Sequence, residues 1–386
     1  METIIINTIG NKADGLNKCP RCGSTEISLQ PEAGLLQCNY CRFVFEPLPP
    51  DGFYPAEALR NEVRGSGAGD IDLSAPTQIT LKCQGCGAKV VVDVDETTLA
   101  RCHWCRQTLS AENQIPNGAV PDIVLPFKLS REQARQHIED FVKKRTFFTN
   151  RTFKREFSTE NILGVYLPYL VVDANAHSNL KGRGGRVMRT YRAGNKNNRR
   201  TYYDIAIYRI ERDFDLFVHG LTIEASSEKR NMDPTGNTNN IINAIMPFDV
   251  ENAVAYTGNY LKGFASERRD TNLDQLRHLA DAQIHDIARF QANQTAANYD
   301  AGIRWQSEKT VSRGAQWRSA YLPVWLYSYQ QVKKNGRKIL HYVAVNARTG
   351  ETMGSVPVDI KRLFMASVLL ELIAAPIGLA IMFFVS

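Results

Sequence analysis

From residue 118 onward the apolar positions follow two periods. Ala134, Ile138, Phe141 and Val142 recur at helical spacing, behind Ser130 with Gln133 three places on, the pair that closes a capping box. A second helical stretch covers 273–293, with Leu276, Leu279, Ala280, Ile284 and Ile287 inward. Between and after these, segments of period two read as strands over 123–128, 164–172, 203–210, 216–224, 321–327, 339–346 and 351–356. Asn335-Gly336 is a type I′ hairpin signal. A Tyr-Leu-Pro opening occurs at Tyr166 and again at Tyr321, each time after a helix, and proline suits the start or edge of a strand. The expectation is an α+β body in which one helix followed by an antiparallel meander is used twice, over 118–265 and 266–360.

The periodicity stops near the end of the chain. After Lys361-Arg362, the 24 residues from Leu363 to Ser386 carry one charge, Glu371, and have almost no polar face. A spanning helix needs about 20 apolar residues. Residues 361–386 are therefore expected to form a C-terminal transmembrane helix, with the basic flank keeping the preceding domains in the cytoplasm. Pro376 would kink it, and neighbouring helices would satisfy the freed backbone. Glu371, about 12 Å into the span at 1.5 Å per residue, calls for a partner helix, a proton or an interfacial position.

The eight cysteines change the picture most. They form four Cys-x-x-Cys knuckles in the first 105 residues: Cys19/Cys22 and Cys38/Cys41, then Cys83/Cys86 and Cys102/Cys105. Each pair of knuckles is separated by fifteen residues, and a glycine (Gly23, Gly87) follows the second ligand. Two hairpin tips at this spacing supply four soft ligands to a tetrahedral zinc ion. The expectation is two zinc ribbons, at 15–48 and 77–117, holding two structural Zn²⁺. Four thiolates leave no open coordination position for catalysis, and zinc is a better default than iron for such sites. Disulfides would need an oxidising compartment, and the N-terminus has no signal-peptide pattern. His103, inside the last knuckle, is expected as an exposed loop residue. Residues 1–14 read as a loose tail, and 49–76, rich in Pro and Gly, as a linker with one short helix near 56–63.

Net charge is +7, and much of the excess is local: residues 181–200 hold eight Lys and Arg with no acid. That stretch is expected to be a basic loop, either a solvated hairpin tip or a contact for anionic lipid or nucleic-acid phosphates. No catalytic motif is present, every cysteine is assigned to metal, and the histidines after 105 are scattered singly, so an enzyme is not expected. Asp173, Asp204, Asp213 and Asp215 are the carboxylates that folding could bring together.

The first ribbon, Cys19-Pro-Arg-Cys22-Gly23-Ser24 through Gly34-Leu35-Leu36-Gln37-Cys38-Asn39-Tyr40-Cys41, resembles that of transcription factor IIB. The whole chain resembles the bacterial TFIIB-type zinc ribbon-containing membrane proteins. The resemblance rests on Leu125-Pro126-Phe127-Lys128, Gly164-Val165-Tyr166-Leu167-Pro168-Tyr169, Tyr260-Leu261-Lys262-Gly263-Phe264, Tyr321-Leu322-Pro323-Val324-Trp325 and Asn346-Ala347-Arg348-Thr349-Gly350. It implies a single-pass adaptor on the bacterial inner membrane, recruiting cytoplasmic phage-shock-protein-like or band-7-like partners, as in envelope stress. Two ribbons and one C-terminal span depart from the simplest pattern of that family. The alternative is a membrane-tethered nucleic-acid binder using the ribbons and the 181–200 loop, although acids are interleaved with the cations of the ribbon tips.

Overall fold

The computed structural model describes residues 19–30, 34–47, 54–70, 78–82, 89–93, 99–101, 108–110, 121–145, 147–159, 162–194, 199–225, 243–261, 263–267, 269, 271–332 and 338–385. Three short strands come first, β1 (Ile27–Gln30), β2 (Leu35–Cys38) and β3 (Val44–Phe45), in an antiparallel sheet of that order. In the segment read as a linker, a 3-10 turn at Ala56–Ala58 precedes β4 (Glu62–Arg64), which pairs in parallel with Ala315–Trp317 of the body. Two hairpins follow, β5 (Gln78–Lys82) with β6 (Lys89–Asp93), and β7 (Leu99–Arg101) with β8 (Thr108–Ser110).

The body contains β9 (Ile123–Val124), α1 (Arg131–Lys143), α2 (Arg151–Glu156), β10 (Leu163–Ala193), β11 (Arg200–Glu224), β12 (Val254–Ala255), β13 (Ala265–Ser266), α3 (Leu273–Gln294), β14 (Ile303–Val332), β15 (Lys338–Asn346), β16 (Thr352–Gly354) and α4 (Ile360–Val385). Helix α1 starts as expected: the Ser130 hydroxyl accepts from the Gln133 N–H (3.2 Å), and the Gln133 side chain accepts from the Ser130 N–H (2.8 Å). Its four expected inward residues are buried. In α3, Leu276, Ala280 and Ile284 are buried, while Leu279 and Ile287 are partly so.

The body is not a helix-plus-meander unit used twice. Its long strands belong to one sheet, with the order β11-β10-β14-β15-β16, and the two halves pair directly along β10 and β14. The two Tyr-Leu-Pro segments lie opposite each other: Tyr166 faces Pro323, Leu167 faces Leu322 and Pro168 faces Tyr321. A proline has no N–H to give to a ladder, and each one here sits opposite the tyrosine of the other motif. Period two reports that a segment is a strand but not which strand it joins, so the partner across the halves was not readable from alternation.

The basic stretch is not a loop either. Strand β10 runs on through Lys181, Arg183, Arg186, Arg189 and Arg192, and β11 begins at Arg200. Small residues make this continuation fit. A Cβ at Gly184 would collide with the Tyr299 ring and one at Gly182 with the backbone of Trp305. The glycines let β14 and its preceding turn lie close against β10.

The C-terminal expectation is also corrected. Residues 360–385 are helical, and Asp359 opens the helix, its carbonyl accepting from the Leu363 N–H (3.0 Å). Among the described residues, however, no helix is long and apolar enough to cross a membrane. Lys361, Arg362 and Glu371 fall within the stretch of α4 whose side chains are described. The transmembrane anchor, the single-pass inner-membrane placement and the intramembrane partner for Glu371 lose their structural premise.

Candidate metal centre and its outward face

The first ribbon folds around two turns with the same hydrogen bonds. In the first knuckle the Gly23 N–H donates to the Cys19 carbonyl (2.8 Å) and the Cys19 N–H to the Ser24 carbonyl (2.9 Å). In the second, the Arg42 N–H donates to the Cys38 carbonyl (2.9 Å) and the Cys38 N–H to the Phe43 carbonyl (2.9 Å). Both turns close on a residue with positive φ, Gly23 at 74° and Arg42 at 63°. Glycine takes that conformation without cost; arginine does so at roughly 1–2 kcal/mol. Between the knuckles, β1 and β2 pair from Ile27 opposite Cys38 to Gln30 opposite Leu35, and the Ser28 hydroxyl donates to the Asn39 side chain (2.9 Å).

These turns bring four thiols together. Cys19 Sγ lies 3.5 Å from Cys41 Sγ, and Cys22 Sγ lies 3.7 Å from Cys38 Sγ. All four sulfurs fall within 4.8 Å of one another. A tetrahedron with Zn–S bonds of 2.3 Å has edges of about 3.8 Å, so the cluster is sized for one ion and consistent with zinc. Burial raises the Cys38 thiol, but the N–H groups of Cys41 and Tyr40 and the thiols of Cys22 and Cys41 outweigh it and lower it to about 6. At Cys38 this favours thiolate, the form that binds metal, whereas at Cys22 the Ser24 N–H lowers the thiol but burial and the other three thiols outweigh it and push it up to about 12. Bound there, the ion would supply cross-linking rather than chemistry, because all four positions are filled by sulfur.

The second set, Cys83, Cys86, Cys102 and Cys105, lies outside the described residues, as does His103. What is described is the frame around it. The β5–β6 pairing ends at Lys82 opposite Lys89, and the β7–β8 pairing at Arg101 opposite Thr108, so each knuckle falls between the paired ends of a hairpin.

The first ribbon has two unlike faces. Ile27 and Leu36, 0% and 1% exposed, belong to the same apolar cluster as Phe127, Tyr166, Tyr260 and Leu261, with Leu29 and Phe45 packed against it. β1 lies on the single turn Gly258–Leu261. The opposite side carries Tyr40 at 82% exposure, with Phe43 and Val44 also exposed. The alternation of Cys38 to Phe45 signalled a strand, but the side that meets solvent depends on where the ribbon docks.

The carboxylates singled out above are spread over the sheet. Asp173 is buried against Arg318 and also accepts from the Gly220 N–H (2.8 Å). Asp213 and Asp215 flank His177 at 3.4 and 2.8 Å, and hydrogen bonds from His177 and then Arg313 hold the Asp215 carboxyl below its ordinary range. Asp204 lies opposite Arg189 in the β10–β11 ladder. Two further polar anchors were not legible beforehand. Asp122 accepts from the N–H groups of Gly67 (2.7 Å) and Ser319 (2.8 Å), tying the 54–70 segment to β14. Arg348 grips both oxygens of Asp249, at 2.9 and 2.6 Å, and donates to the Pro126 carbonyl (3.2 Å).

No protein-family model matches the chain. No solved structure matches it. The chain is similar to the uncharacterized protein YdjG of Bacillus subtilis (strain 168), with 22% identity over 347 residues, which is 89% of this chain and 90% of that protein.

Proposed function

We propose that this chain is a zinc-ribbon adaptor, which presents a metal-fixed knuckle, braced on a broad sheet, to a protein partner. The supporting observation is the asymmetry of the first ribbon. Its inward face is fused to the core through Ile27 and Leu36, and its outward face displays Tyr40, Phe43 and Val44 on the turn built by Cys38 and Cys41. Exposed aromatics on a rigid frame act as anchors in protein interfaces, because little side-chain freedom is lost on binding. The second ribbon, with Cys83, Cys86, Cys102 and Cys105 as ligands of a second structural zinc, adds another such surface. Support comes from the repeated fifteen-residue spacing and the paired hairpins that frame the knuckles. The family resemblance points to phage-shock-protein-like or band-7-like proteins as the partners.

The test places a photo-crosslinking amino acid at position 40 in the full chain, in cells, with Phe147, an exposed residue of the body, as the control position. A discrete protein adduct from position 40, absent from position 147 and lost on Cys38→Ser, supports the adaptor. Equal adducts at both positions, or none at 40, refutes it. Metal analysis of the purified chain is expected to give two zinc ions, falling to one in Cys38→Ser and to one in Cys102→Ser.

A further inference from the structure

The basic stretch that the adaptor does not use forms a projecting arm. β10 and β11 pair continuously to Ala193 opposite Arg200, but β14 supports β10 only as far as Gly184 opposite Ile303. Among the described residues, the last ties to the body are the Gly185 N–H to the Gly302 carbonyl (2.9 Å) and the Val187 N–H to the Asp300 side chain (2.8 Å). Beyond Val187 the two strands run on alone for six residues, roughly 20 Å at about 3.4 Å per residue. An isolated two-stranded ribbon is marginal in water; this one is the end of strands anchored in the sheet.

Its surface is cationic and aromatic at once. Opposed residues of an antiparallel pair share a face. Along the arm and the ladder just below it, one face therefore holds Arg186, Arg189 and Arg200 with Asp204, Tyr191, Tyr202 and Tyr208, and the other holds Arg183, Arg192 and Arg209 with Tyr203, Ile205 and Ile207. Tyr191 and Tyr202 stack at 5.7 Å and 17°, and the Arg189 guanidinium sits over Tyr191 at 5.8 Å. Several cations of the body are matched with carboxylates: Lys181 with Glu211 (2.8 Å), Arg313 with Asp215 (2.9 Å), Arg289 with Glu308 (2.7 Å). The arm has one acid, Asp204, among its arginines.

We infer that this arm binds single-stranded nucleic acid, with arginines on the phosphates and the exposed tyrosine rings stacking on bases. Successive bases on aromatic side chains along a cationic track is how sequence-tolerant single-strand binders work. Arginine suits phosphate because its planar fork matches the oxygens. A ribbon that lies on a bilayer separates its cations from an apolar insertion face; here both faces carry arginine, which favours a strand that wraps.

The test uses the full chain, after nuclease treatment, with fluorescein-labelled dT25 in anisotropy titrations from low to high salt. The expected result is salt-dependent binding. The variant R186A/R189A/R200A should weaken it more than tenfold at low salt and flatten the log–log salt slope by about 2, at about 0.7 per phosphate lost. Y202A should weaken it about 5- to 150-fold with little change in slope. All four residues are exposed, so both variants should keep the parent's thermal midpoint. Absence of dT25 binding, or binding that R186A/R189A/R200A leaves unchanged, overturns the inference. So does arm-dependent sedimentation with phosphatidylglycerol vesicles in a protein that ignores dT25.

Discussion

The first ribbon and the β10–β11 arm are both small β structures at the margin of one sheet, and both turn aromatic side chains to solvent. They are held in opposite ways. The ribbon has short strands of two to four residues and relies on four converging thiols plus two buried side chains, Ile27 and Leu36. The arm has no such centre; its order is inherited from strands of 31 and 25 residues whose other ends lie in the sheet. A small β unit is thus fixed either by a local cross-link or by ladder continuity. The two should fail under different insults.

The largest effect should come from removing the metal. Structural zinc contributes on the order of 10 kcal/mol to the folding of such modules. A chelator, or Cys38→Ser, should abolish amide-exchange protection over Ile27–Gln30 and Leu35–Cys38 while leaving β10 and β14 protected. Loss of protection in the arm as well would show that the ribbon braces the whole sheet. Second, Asp173→Ala removes the carboxylate facing buried Arg318 and should cost about 3–5 kcal/mol in a denaturant melt. Bound zinc should stay unchanged, because the damage lies in the ladder and not at the thiols.

Third, Leu36→Ala should weaken docking of the ribbon by about 2–4 kcal/mol. Faster proteolysis between the ribbon and the body, at constant zinc content, is the expected signature. Fourth, acid should weaken the body through its gripped carboxylates. Burial raises Asp249, but the hydrogen bonds and charge of Arg348 outweigh it and hold the carboxyl below its ordinary range. Its contribution is therefore present above the unfolded value of about 3.9 and lost as pH falls through the lower folded value. The acid-unfolding midpoint of Arg348→Gln should move upward in pH. The smallest effect is Arg42→Gly, which relieves the positive φ of the second knuckle and should stabilise the ribbon by no more than about 1 kcal/mol.

Much of the local structure was legible. Ser130 and Gln133 announced the start of α1, and residues of α3 that recur at helical spacing are buried. The spacing of Cys19, Cys22, Cys38 and Cys41 announced a cluster that the geometry provides, because knuckle turns are short-range and their chemistry is local. The halves of the sheet were misread because strand pairing is long-range: Leu167 and Leu322 meet across 155 residues of chain. The basic stretch was expected to be a loop, and the role of Gly182, Gly184 and Gly185, close approach of a neighbouring strand and of Tyr299, exists only once those neighbours are in place. The C-terminal run was read as a span from its apolar length, yet among the described residues no helix is long and apolar enough to cross a membrane.

What the sequence determined by itself were the features whose partners lie within a few turns of chain: helix starts, strand period, and the ligand set of the first ribbon. Tertiary structure alone decided which strands pair, which face of the first ribbon is buried against Tyr260 and Leu261, and that the basic stretch stands out as a paired arm. The reason is physical. Side-chain period specifies two faces but not their neighbours, and exposure is settled only when a distant surface arrives to cover one of them.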